Sequence, residues 1–295
     1  MPLRAFHNIE IAFHKNHMNQ SSTRPVAGDA AKEKDGSGDE VTALARGLTV
    51  LRRIAAADAP LSNRELTELT GIPKPTVSRI TATLVSAGFL FRLPDSERFV
   101  LTSSVLELSN GFLRNFDIRA RSRPFLIELA ERTSLSVHLA VRDRLDMVVI
   151  DAIKPRSAVL VSRLDVGSRM DLSRTAVGRA YLAALAETDR QSLLTGLQAA
   201  AGDDWGSISA RLDAALRETT AQGFAIATGE WYEGLNAIAA GFIGPSGERY
   251  AVNCGGSAHQ CPRDWLIARA APALLQTIDK IVHEIGGTPG RRLDT

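Results

Sequence analysis

At 295 residues the chain is long enough for two domains, and 44% hydrophobic with 23% charged residues is the balance of a globular protein, not of an unfolded or fibrous one. A net charge of +2 excludes a chain that holds polyanions by bulk charge, and two cysteines, Cys254 and Cys261, form neither a disulfide framework nor a zinc motif. No apolar run of 18 residues and no secretory leader is found, so no membrane partner is expected and a reducing cytoplasm is the expected compartment.

Residues 1–40 read as a disordered N-terminal extension: 27–40 are rich in Gly, Asp, Lys and Ser and carry no periodicity. His7, His14 and His17 lack the spacing and partners of a metal site, and no metal is expected; Met18 is an alternative start. Residues 41–101 read as one unit. An amphipathic helix is expected over Val41–Ala57, with Leu44, Leu48, Leu51 and Ile54 on one face.

The stretch Leu61–Arg98 then has the pattern of a helix-turn-helix followed by a wing. Ser62, with Glu65 three residues on, makes a capping box that opens a helix over Asn63–Leu69, and Thr70-Gly71 ends it. A second helix begins near Pro73, where a missing N–H costs nothing. Val77, Ile80 and Leu84 form its packed stripe, while Pro75, Ser78, Arg79 and Ala82 face outward with Lys74 and Thr76 on the flanks. A helix entering a major groove needs such a face: no bulk, and donors for base edges and phosphates. Two strands follow, Phe89–Leu93 and Arg98–Leu101, around the turn 94–97. Phe89, Phe91 and Leu93 alternate with Leu90 and Arg92, and Arg92 and Arg98 are placed beside phosphates. The expected DNA-contact set is Ser62, Lys74, Thr76, Ser78, Arg79, Arg92 and Arg98, and the expected partner is double-stranded operator DNA. Residues 41–101 hold eight Lys and Arg against five acidic residues, a modest excess that calls for two copies on DNA.

Residues 102–116 read as a linker helix. The second domain, 117–290, opens with a helix over Asp117–Arg132 and then mixes strands and helices. Strands are expected at Ser136–Arg142, Met147–Ile153, Ala158–Leu164, Phe224–Ala227, Ala237–Gly244 and Tyr250–Cys254. Helices are expected at Ala176–Ala186, Asp189–Leu194, Ser207–Gln222 and Arg263–Ile285. Tight returns at 142–146 and 244–248 make the sheet largely antiparallel, so the fold class is α+β. His138 reads as a packed, hydrogen-bonded core histidine. No Gly-x-Ser-x-Gly elbow, phosphate-binding glycine loop or His-Glu-x-x-His is found, so no catalytic residues and no cofactor are expected.

In this order and spacing, several segments resemble the IclR family of bacterial transcriptional regulators. They are Ala43–Leu48, Leu66–Arg79, Ala87-Gly88-Phe89, Val137–Val141, Thr175–Ala180, Gly223-Phe224-Ala225 and Gly234–Ala240. The resemblance implies a winged helix-turn-helix joined by a helical linker to a GAF-like α/β effector-binding domain. It implies homodimers or tetramers on operator DNA, and a small organic or aromatic acid as effector. Matching the motifs assigns Met170, Thr175, Ala176 and Val177 to a pocket wall running into a helix N-terminus, which suits a carboxylate. It assigns Ala237 and Cys254 to strand positions facing the ligand, with Glu230 and Trp231 from the neighbouring loop. Where many members carry Ser-x-Ser-Gly-Pro, this chain has Val252–Gly256, and where many carry acidic residues it has Ala227–Trp231. Fewer hydroxyls and an added Trp231 point to a more apolar or aromatic effector. Two alternatives stand beside this reading: a redox-responsive regulator acting through Cys254, and an enzyme with a regulatory DNA-binding domain.

Overall fold

The computed structural model describes residues 42–94, 96–155 and 164–290, in two compact units divided between Asn115 and Phe116. The extension 1–40 and nearly all of the strand expected at 158–164 lie outside the described residues.

The first unit packs α1 (Thr42–Ala55), α2 (Asn63–Thr70) and α3 (Lys74–Ser86) against a small antiparallel sheet. That sheet runs β1 (Leu61–Ser62), β3 (Arg98–Leu101), β2 (Leu90–Arg92) in spatial order. Its core is Val50, Ile54, Leu66, Ile72, Val77, Leu90 and Phe99. The short helix α2 holds because both ends are satisfied: Ser62 caps its first turn, and Gly71 at φ 67° takes the left-handed turn that only glycine enters without strain. The Thr81 hydroxyl, buried on α3, donates to Asn63 Oδ1 at 2.9 Å and fixes the two helices against each other. Helix α4 (Ser104–Leu113) completes the unit.

Two sequence expectations change here. In β2 the buried residue is Leu90, while Phe91 is exposed: the pairing Leu90↔Leu101 turns the strand one residue out of the expected phase. On α1 the inward residues are Val50 and Ile54, and Leu44 and Leu48 are exposed, because only the C-terminal half of that helix meets the core.

The second unit is a seven-stranded antiparallel sheet between two layers of helices. The strand order is β10 (Thr288–Pro289), β8 (Leu235–Ile243), β9 (Arg249–Ser257), β4 (Ser136–Asp143), β5 (Asp146–Ile153), β6 (Arg169–Asp171), and β7 (Ala225–Thr228) also pairs with β8. Helices α5 (Asp117–Thr133) and α10 (Ala271–Ile285) pack on one face. On the other lie α6 (Ala176–Ala183), then α7 (Glu187–Ala201) and α8 (Trp205–Gln222). The helix expected over Arg263–Ile285 is broken into a single turn, α9 (Arg263–Trp265), a π-helical turn Leu266–Ala270, and α10. Pro272 has no N–H for the preceding turn and its ring crowds that turn's carbonyl, and the wider π turn relieves both. Helix α7 runs seven residues past the expected Leu194, to Ala201, where Gly202 stops it.

Helix α6 sits close to its surroundings because glycines let it. A Cβ on Gly178 would lie directly against the Leu172 carbonyl, and one on Gly241 of β8 would stand 2.8 Å from the Ala180 carbonyl. Both obstacles are backbone and cannot rotate away. Gly178→Ala is therefore expected to destabilise the second unit by about 3 kcal/mol, the upper end of overpacking costs. Thermal melting of the purified variant checks this, and a wild-type melting temperature would show that α6 can shift.

Candidate functional site

The expected DNA-contact residues fall into two groups. Lys74, Ser78 and Arg79 are exposed on the outer face of α3, Thr76 is half-buried beside them, and Val77 and Thr81 point into the core. Among the described residues nothing pairs with the side chains of Lys74, Ser78 or Arg79. The other three residues are occupied. The Ser62 N–H donates to Glu65 Oε2 at 2.8 Å and its hydroxyl accepts from the Glu65 N–H at 3.3 Å, the reciprocal capping box. Arg98 Nη1 donates to Glu65 at 2.9 Å and to the Pro60 carbonyl at 2.7 Å, tying β3 to the start of α2. Hydrogen bonds from Ser62 first, and the Arg98 guanidinium after them, pull the Glu65 carboxyl down to about 2. Arg92 pairs with Glu97 across the wing turn. Arg98, expected at a phosphate, is thus a tie within the domain; its partner lies 33 residues away in sequence, where spacing gives no signal.

The second unit holds a cavity between the sheet and the start of α6. Its lining includes Met170, Thr175, Ala176, Glu230, Trp231 and Ala237 of the expected set, and also Ser136, His138, Asn253 and Gly255. The space open to the centre of a water-sized sphere is ≈ 60 Å³. That is well above the roughly 10–15 Å³ a single water needs, and it suits a compact metabolite. The registers Ser136↔Gly255, His138↔Asn253, Ala237↔Gly255 and Ala227↔Ala237 place these side chains on one face of the sheet. Side chains alternate along a strand, so Cys254, between Asn253 and Gly255, points to the opposite face, level with Val137 and Ile238. Cys254 therefore does not line the cavity, and Val177 is buried in the core behind it. Burial, and then the neighbouring Cys261, push the Cys254 thiol up to about 12. The thiolate that oxidants attack is suppressed, which removes the support for a redox switch at that residue.

Glu230 is held by a residue that sequence reading passed over. Arg179, on α6, is buried and grips the Glu230 carboxylate with both terminal nitrogens, one of them at 2.8 Å. Its remaining donors reach the carbonyls of Ser173 at 3.1 Å and Ile226 at 3.2 Å. Burial raises the Glu230 carboxyl, and the Arg179 pair outweighs it and leaves the group below its ordinary value. The carboxylate is therefore committed before any ligand arrives. His138 is buried on the cavity wall, as expected of a packed core histidine, with the Asn253 side chain and the Leu164 backbone beside its ring. Burial first, and the Lys154 charge next, pull the imidazole down to about 4, so it is neutral near pH 7. The Thr175 hydroxyl accepts from the Gly178 N–H at 3.1 Å and caps α6, while the N–H groups of Ala176 and Val177 come too early in the helix to have partners within it.

The model for the IclR helix-turn-helix domain matches residues 43–94, and that for the bacterial transcriptional regulator IclR C-terminal domain matches 110–283. The HTH-type transcriptional regulator TsaQ1/TsaQ2 of Comamonas testosteroni is 33% identical over 248 residues, 83% of this chain and 88% of its own. A crystal structure of an IclR family transcriptional regulator from Brucella abortus shares 34% identity, with a TM-score of 0.71 over 88% of this chain and 99% of the other. An IclR homologue from Microbacterium hydrocarbonoxydans, crystallised with 4-hydroxybenzoate, shares the fold at 18% identity, with a TM-score of 0.65 over 83% of this chain and 99% of its own.

Proposed function

Because the chain belongs to the IclR family of transcriptional regulators, with a helix-turn-helix DNA-binding domain and a C-terminal effector domain, we propose that a small organic acid in the cavity sets its operator affinity. The observation that carries this is a metabolite-sized cavity with the start of α6 in its wall, where the Ala176 N–H, without a partner among the described residues, can meet a carboxylate. The apolar lining from Met170, Trp231 and Ala237 suits an aromatic or compact aliphatic body. The Microbacterium hydrocarbonoxydans homologue holds an acid of that kind. On DNA, Lys74, Thr76, Ser78 and Arg79 read the groove and Arg92 meets a phosphate after leaving Glu97, while Ser62 and Arg98 keep α2 and the wing in place. The protein acts as a homo-oligomer, a dimer or a dimer of dimers, that presents paired recognition helices to half-sites about one helical turn or its multiples apart. Effector binding favours one arrangement of those helices over another.

The test joins two measurements on the full chain. Small carboxylic acids are screened by thermal shift, and any that raise the melting temperature are titrated into a gel-shift assay with promoter DNA from beside the gene. A stabilising acid is expected to move the operator midpoint by about 5- to 150-fold, the usual range of allosteric coupling. A stabilising acid that leaves the midpoint unmoved, or a screen in which no acid stabilises, would overturn the reading.

A further inference from the structure

The outer face of α3 is defined by what it lacks. Lys74–Ser86 contains no Asp, Glu, Asn or Gln. Its buried hydroxyl, Thr81, is spent on Asn63 Oδ1, and the Thr83 hydroxyl donates back to the Arg79 carbonyl at 2.9 Å. The carboxamide and carboxylates of α2 are engaged as well. Asn63 has given its oxygen to Thr81, Glu65 holds Ser62 and Arg98, and Glu68 holds Arg64 at 2.9 Å. Arg79 stands in the second turn of α3, exposed and without a partner among the described residues. Pro75 lies four residues before it and Ala82 three after, both exposed, so one long side chain is flanked on each side by a short apolar one. Lys74, the other cation of this helix, sits at its first residue.

We propose that each operator half-site is read as a guanine by Arg79 and as thymine methyl groups by Pro75 and Ala82, with no adenine or cytosine read through its amino group. This rests on the reading that α3 lies in the major groove, and it names the bases met there. A long side chain at the middle of the helix, between short neighbours, reaches the groove floor, whereas Lys74 at the end meets the phosphate rim. The guanidinium carries parallel donors, and guanine presents two acceptors side by side, N7 and O6. On adenine the second donor faces the N6 amine, donor against donor. Pairing with both groups of adenine takes a carboxamide, and accepting from cytosine N4 takes a carboxylate. Neither is free on this face. The hydroxyls of Thr76 and Ser78 donate and accept alike, so they add contacts and little choice. The Pro75 ring and the Ala82 methyl remain, and the thymine methyl is the apolar group that the groove offers them. One helical turn is about 5.4 Å and base pairs are about 3.4 Å apart, so those thymines fall about one or two pairs from the guanine.

The test begins with in vitro selection of sites from a random duplex pool by the full chain, followed by binding titrations on the selected site. The selected half-sites are expected to share a guanine with thymines, on either strand, about one or two pairs to each side. Changing that guanine to adenine in one half-site is expected to weaken binding by about 5- to 150-fold. Uracil in place of one of the thymines is expected to cost about fourfold, what burial of a single such carbon is worth. Arg79→Ala is titrated beside the wild type at lower salt, where phosphate contacts restore binding, and its guanine-to-adenine ratio is expected to fall to about one. The uracil penalty is expected to vanish at one thymine in Ala82→Gly and at the other in Pro75→Gly. Selected sites that share no guanine, or a guanine preference that survives Arg79→Ala, would overturn the base assignment and leave α3 in the groove. Uracil penalties that both glycine variants retain would overturn the role of Pro75 and Ala82. A pool from which no sequence is enriched would overturn the groove reading itself, and the base assignment with it.

Discussion

Arg79→Ala is expected to abolish the specific operator complex while leaving the fold, and the binding of any stabilising acid, unchanged. The side chain is exposed on the outer face of α3, and nothing among the described residues holds it, so its removal costs the free protein nothing. A lost contact to a base edge costs about 1–3 kcal/mol. Two recognition helices on one operator double that to about 2–6 kcal/mol, enough to lose the band at concentrations that saturate the wild type. If Arg79 meets a phosphate instead, the fall is smaller, and the slope of log affinity against log salt drops by about one for each copy. Arg98→Ala is the informative contrast. It removes a guanidinium bonded to Glu65 and to the Pro60 carbonyl, so it is expected to lower the melting temperature of the first unit and to weaken DNA binding only through that loss. Normal operator binding by Arg79→Ala would show that the reading face of α3 has been placed wrongly.

The pair Ser62–Glu65 and the residue Arg98 show where sequence stops being informative. The capping box is a contact between i and i+3 inside one turn of helix, so its spacing alone announces it. The guanidinium that completes it comes from the far strand of the wing, and an arginine there looks the same in sequence whether it meets a carboxylate or a phosphate. Strand phase was lost for a related reason. Around the three-residue strand β2 (Leu90–Arg92) the run Phe89-Leu90-Phe91 is apolar throughout, so periodicity cannot say which residue faces inward; the pairing with β3 decides it. In the cavity, strand position and face are separate facts. The resemblance located the right stretch of β9 but put Cys254 on the ligand face, and a shift of one residue hands that role to Asn253 and Gly255. The start of α6 was readable from Thr175 because a cap, like a capping box, is local. Arg179, one turn further on, was not, because its carboxylate is supplied from a loop 51 residues away.

Glu230→Ala is expected to be the most damaging single change in the cavity wall. It leaves the Arg179 guanidinium, which is only 3% exposed, with two carbonyls and no counter-charge. Removing one partner of a buried pair costs about 3–5 kcal/mol, because the charge left behind has lost its water and gained nothing. The Glu230 side chain is itself 26% exposed, so water can enter the space it vacates, and the lower end, about 3 kcal/mol, is the expected value. For a unit of this size that lowers the melting temperature by about 6–12 °C. Glu230→Gln, which keeps the shape and one acceptor, is expected to lose less. The double substitution Arg179→Met with Glu230→Leu separates charge from shape: with both ions gone, most of the lost stability is expected to return. The pair would then be a device for placing the cavity wall, more than a source of stability. A Glu230→Ala protein that melts within a degree or two of wild type would mean that the guanidinium reaches water by itself and that α6 does not depend on the pair.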